Sequence, residues 1–192
     1  MTTLVTVGWL SMSAQTLSVE DRRLLALWAA DRAGEVLAIY EGAVPEDPRV
    51  RNSISQARSF ASGALATDEA IRRRGGEAGA AAREAPTPAA KAAAYAAQQA
   101  AAVAHMGAHA LGAAGHAAKA AALGADPDSG LTVRLVALGH LATMGPEVVG
   151  ALLLLPTLGE DRSGPLGPGR LATGMVGEAI RVIQAELRRQ SA

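Results

Sequence analysis

Apolar positions return at helical rather than strand spacing along most of the chain, and turn residues divide them into discrete segments. Ser18, with Asp21 three residues on, marks a helix start, and Gly42 marks a stop, so the first helix is expected over about 19–42. Leu24, Trp28 and Ile39 share one face of it, and Asp31 and Glu35 lie beside them. The Val44–Pro48 turn breaks the pattern, and a second helix is predicted over about 49–62, with Ile54, Ala57, Arg58 and Ala61 close together. Thr67 opens a third helix to about residue 83, with Gly75-Gly76 as its weak point. Helices at about 131–144, at 147–155 beyond the Gly145-Pro146 break, and at about 171–189 complete the pattern. The last shows a seam of Val176, Ile180, Ile183 and Leu187. The Gly- and Pro-rich stretch 156–170 reads as a mobile loop, a lid over a pocket or a partner-binding segment.

Between these lies the most unusual segment. Thr87 and Pro88 form a cap and first-turn pair, after which the sequence from Ala89 to Leu123 is mostly alanine. Read as one long helix, it places His105, His109 and His116 within roughly 40° of one another, since each residue turns the helix by about 100°. Lys91 and Gln98 fall on the same stripe, with Lys119 at its edge. Gly107, Gly112 and Gly115 weaken such a helix but permit close contact with another backbone. The expected fold is therefore all-α: a single-domain bundle or array of six or seven helices around a long alanine-rich central helix. Residues 1–17 are expected to form an N-terminal arm, ordered because Trp9 and Leu10 are costly in water, and residues 18–192 the helical domain.

Composition sharpens this picture. Of 192 residues, 49% are hydrophobic but only 3% aromatic, so the core must be filled by close backbone approach rather than by large side chains. The 18 basic and 18 acidic residues cancel, and this argues against nucleic-acid binding by bulk charge. No cysteine is present, which removes thiol catalysis and thiolate metal sites and fits a reducing cytoplasm. The first residues lack a basic signal-peptide region, and the most apolar run, 148–155, is far shorter than the ~20 residues of a membrane span. A cytoplasmic protein without membrane contact is the expectation.

Two groups of residues could support chemistry. His105 and His109 are close enough to share a metal ion, whereas His105 and His116 stand roughly 16 Å apart on a continuous helix. The same face could be solvated surface, or a pocket wall where imidazoles move protons near neutral pH. No metal or cofactor is assigned. Asp31 or Glu35 could act as a base or orient a histidine; the plain alternative is an ion pair to Arg58 or Arg32. In the pocket reading Asp31, His105 and His109 are the candidate catalytic residues, and Trp28, Glu35, Arg58, Gln98, Gln99 and His116 the candidate binding residues. The pocket would lie between the first helix and the alanine helix. The Arg72–Arg74 run reads as a solvated helix end.

Several of these stretches resemble a known family. Residues 24–31 (Leu-Leu-Ala-Leu-Trp-Ala-Ala-Asp), the turn from Pro45 to Arg51, Ala57-Arg58-Ser59-Phe60, Ala104-His105 and His109-Ala110-Leu111-Gly112 are similar to the bacterial immunity-protein family of polymorphic toxin systems. The likeness runs over about residues 20–120. It implies an all-helical fold, draws attention to Asp31, His105 and His109, and suggests a toxin as protein partner. Arg32 stands where the family pattern has Cys, Gln99 where it often has His, and His116 where it has an aromatic residue. Two functions follow. One is non-catalytic association with a partner. The other is a small cofactor-independent enzyme of cyclase, isomerase or hydratase type, or a ligand-binding protein, acting on a small molecule. A homodimer through the last helix or the 148–155 run is compatible with both.

Overall fold

The computed structural model describes residues 13–73, 75–125 and 130–191, and among these it is all-helical. Residues 1–12, including the expected arm with Trp9 and Leu10, lie outside the described residues. Among the described residues ten α-helices follow one another, more than the six or seven expected, because three of the expected helices are each broken in two.

The first break is at Val36. Helix α1 spans Val19–Glu35 and α2 spans Leu37–Ala43. Val36 leaves helical geometry at φ −109° and ψ 4°, which redirects α2 so that both Val36 and Tyr40 are buried. Ser18 caps α1 as anticipated, its Oγ accepting from the Asp21 amide at 3.0 Å. Helix α3, Arg49–Ala61, agrees with expectation. The second break is the Gly75-Gly76 weak point, where Gly76 takes φ +64° between α4, Thr67–Arg73, and α5, Ala78–Glu84.

The third break corrects the central expectation. The alanine segment is not one helix but an antiparallel pair, α6 (Pro88–Ala102) and α7 (His109–Ala125), which pack on each other more extensively than any other two helices. Residues 103–108 turn the chain back. There the amides of Gly107 and Ala108 donate to the carbonyls of Thr16 and Gln15, at 3.1 and 3.0 Å, instead of continuing the helix. Arg22 Nη1 also donates to the Ala104 carbonyl in this turn. The N-terminal segment thus supplies the partners that make the break stable. Pro88 opens α6, and Thr87 Oγ1 accepts from the Ala90 amide at 3.1 Å.

Helix α7 is the centre of the molecule, packed against α1, α6, α8 (Gly130–Ala142) and α10 (Gly174–Gln190). Its glycines perform the anticipated task. A Cβ on Gly115 would lie 2.9 Å from Val176 Cγ1 and 3.1 Å from the Val176 carbonyl, so α10 approaches α7 at backbone distance. Val176, Ile180, Ile183 and Leu187 are all buried within the molecule. The seam of the last helix is therefore already covered and does not offer a dimer surface. Helix α9, Pro146–Leu153, follows the Gly145-Pro146 break at an angle of 119° to α8. Among the described residues no single helix is long and apolar enough to cross a membrane.

The 156–170 loop is pinned rather than mobile. Gln15, itself buried, donates through Nε2 to Asp161 Oδ2 at 2.6 Å and to the Ser163 carbonyl at 2.8 Å, while its Oε1 accepts from the Leu166 amide at 2.9 Å. Gln184 of α10 holds the other side, between the Pro156 carbonyl and the Leu158 amide, both at 2.9 Å. Leu158 and Leu166 are buried beneath it.

Candidate functional site

A cleft of about 660 Å³ opens where the α6–α7 hairpin meets the pinned loop and the start of α10. It does not lie between the first helix and the alanine segment, where the sequence placed it. Breaking the alanine helix nevertheless preserves most of the stripe. Lys91 and Gln98 of α6 now line the same cleft as His109, His116 and Lys119 of α7. Positions aligned along one imagined rod have become two adjoining parts of a wall.

His109 is the best-defined group. Its Nδ1 lies 2.8 Å from Gln99 Oε1, and with that oxygen as acceptor the ring donates from Nδ1 and leaves Nε2 unprotonated. Burial, reinforced by neighbouring His105, pushes its pKa down to about 4. Gln99 is held close by Gly112, where a Cβ would sit 2.5 Å from Gln99 Oε1. About two turns further along α7, His116 faces Tyr95 at a ring-centroid distance of 5.3 Å. Its Nδ1 is buried without a hydrogen-bond partner. Burial and the nearby Lys119 hold its pKa at about 4. Both rings are therefore neutral at neutral pH.

The remaining candidates are elsewhere. His105 falls in the 103–108 turn, exposed, its ring centroid 6.5 Å from that of His109, and it is not in the cleft lining. Trp28 is 5% exposed and belongs to the core. Asp31 is ion-paired to Arg58 at 3.2 Å, with both side chains about half exposed, and lines a separate depression together with Glu35. Glu35 pairs with Arg32 at 3.1 Å. Burial holds the Glu35 carboxyl above its ordinary range, against the pull of Arg32. His140 Nε2 lies 3.4 Å from Glu35 Oε2, and burial followed by the charge of Arg32 pushes this ring down to about 4. These contacts tie α1 to α3 and α8, the ion-pair arrangement that the sequence left open for both acids. Sequence reasoning missed Arg83, Tyr95 and Arg170, which complete the cleft. Arg83 and Arg170 come from segments whose proximity no local pattern announces.

These features define a protein that is all-helical over its described residues, with an open cleft whose described lining contains no carboxylate. The chain belongs to the Imm-5 like putative immunity protein family, whose match covers residues 15–138, from just before α1 into α8. No curated protein and no solved structure matches it. The pinned loop and α10, which form one side of the cleft, lie beyond the matched residues.

Proposed function

We propose that the chain is an immunity-type helical protein that acts without catalysis, by covering a toxin partner in the bacterial cytoplasm. Family membership carries this reading. The surface best suited to it is on α1, where Leu24 and Leu27 are 40% and 50% exposed beside Glu20, Arg23 and Arg58. An apolar centre with a charged rim is the ordinary anatomy of a protein interface, and this one lies within the matched residues. The product of a toxin gene neighbouring this one should co-elute with the protein and lose its toxicity when the two are co-expressed. Leu27→Asp should weaken that complex at least tenfold, and a toxin unaffected by the wild-type chain would overturn the reading. A homodimer would use α9, where Leu153 and Leu154 remain exposed, rather than α10.

The cleft favours a second reading, ligand binding. The acid that the sequence offered for chemistry of the cyclase, isomerase or hydratase kind is not at the cleft, since Asp31 is engaged by Arg58 elsewhere and the described lining contains no carboxylate.

A further inference from the structure

We infer that the cleft between α6, α7 and the start of α10 is a binding site for a small organic anion, an aromatic or apolar body bearing a phosphate or carboxylate. The inference deepens the ligand-binding reading and does not depend on the toxin reading.

The first observation is charge. The whole chain balances 18 basic against 18 acidic residues, yet among the described residues the cleft lining contains Arg83, Lys91, Lys119 and Arg170 and not one Asp or Glu. Among the described residues none of these four forms an ion pair, although most other arginines do so. Four like charges around one concavity repel one another and concentrate counter-anions there. The two histidines add no charge of their own at neutral pH, because burial keeps them unprotonated.

A second, independent observation comes from α10. Its N-cap residue Thr173 makes no capping bond; the hydroxyl donates instead to the Arg170 carbonyl at 3.1 Å. The first-turn residues Gly174, Met175 and Val176 line the cleft. The positive end of a 17-residue helix is therefore presented to the same space without a side-chain acceptor.

Third, His116 lines the cleft while its Nδ1 is buried and unpartnered. An N–H shut away from any acceptor is costly, so the proton of the neutral ring belongs on Nε2, the nitrogen left to donate to a ligand. Tyr95 stacked near His116, together with Leu171 and Val176, supplies apolar surface for the body of the ligand. The volume of about 660 Å³ exceeds what a bare inorganic anion fills.

Calorimetric titration of the full chain with phenyl phosphate, and with phenol as its neutral counterpart, tests this. Phenyl phosphate should bind, weaken with added salt, and shift the amide resonances of Gly174, Met175 and Val176. Phenol should bind at least about tenfold more weakly, the equivalent of one charged contact. The Lys91→Gln/Lys119→Gln double variant alters only cleft-rim side chains and should lower affinity for phenyl phosphate about tenfold or more with the helical circular dichroism unchanged. Equal binding of phenol and phenyl phosphate would overturn the anion assignment while leaving a ligand cleft. Failure of phenyl phosphate and benzoate alike to bind at millimolar concentration would overturn the site itself. Unaltered affinity in the double variant would also refute it.

Discussion

Gly115 sets how near α10 can come to α7, and the limit is testable. Alanine is the better helix former by about 1 kcal/mol, so propensity alone predicts that Gly115→Ala stabilises. The new methyl would, however, meet both a side chain and a backbone oxygen of Val176, at 2.9 and 3.1 Å, and Ile180 at 3.2 Å. Backbone cannot swing aside as a flexible side chain does. The net expectation is a loss of about 1–2 kcal/mol, read as a lower denaturant midpoint at unchanged slope; a higher midpoint would mean that the two helices slide apart freely. Thr87 is simpler. Removing its Oγ1 in Thr87→Ala leaves the Ala90 amide without its 3.1 Å acceptor and should cost about 1 kcal/mol in the same measurement.

At the scale of elements, the alanine hairpin explains both the stability of the fold and the limits of reading it from sequence. Ala92, Ala93, Ala96, Ala97 and Ala100 of α6, and Ala110, Ala113, Ala114 and Ala117 of α7, are all buried. Such helices pack only if every position stays small. Ala114→Leu, at a site with no exposure, should therefore cost about 1–3 kcal/mol, whereas Ala121→Leu, at a partly exposed site, should cost less than half as much by thermal melting. The caps at Ser18 and Thr87, the Gly75-Gly76 break and the seam of α10 were legible because each depends on residues within a turn of one another. The break at 103–108 was not, because its stabilising partners, Gln15 and Thr16, stand about ninety residues away in the chain. The stripe of polar residues was read as one line on one helix, and it is neither one line nor a complete set. Lys91, Gln98, His109, His116 and Lys119 do share one cleft, but only because a reversal that local sequence does not announce folds one half of the stripe against the other. His105 dropped out for the same reason.

For the whole molecule, one buried and two largely buried histidines govern the response to acid. His109, His116 and His140 are each pushed by burial from 6.5 to about 4. Below pH 6.5 the unfolded chain takes up these protons and the folded chain does not, so stability is complete above that pH and is lost as pH falls toward 4, by up to about 1.4 kcal/mol per pH unit per ring. Asp47 acts in the same direction at lower pH. Arg49 holds its carboxyl below the usual range, and it also accepts from Tyr40 at 2.6 Å, so its stabilising contribution disappears once the group is protonated. Denaturant midpoints should be flat from pH 7 to 8 and fall steeply between 6 and 4. In His140→Gln the fall should be shallower by one ring's share. A midpoint that stays level down to pH 5 would show that the rings are reached by water.

Gln15 joins the segment just before α1 to a loop some 150 residues later, and that loop forms one side of the cleft. During synthesis the glutamine emerges from the ribosome long before its partners exist. The nascent hairpin of α6 and α7 must wait, half walled, until residues 164–176 have emerged. A ligand therefore has nothing complete to bind until the loop and the first turn of α10 have been made, and whatever the cleft holds can report only on chains that have reached that point.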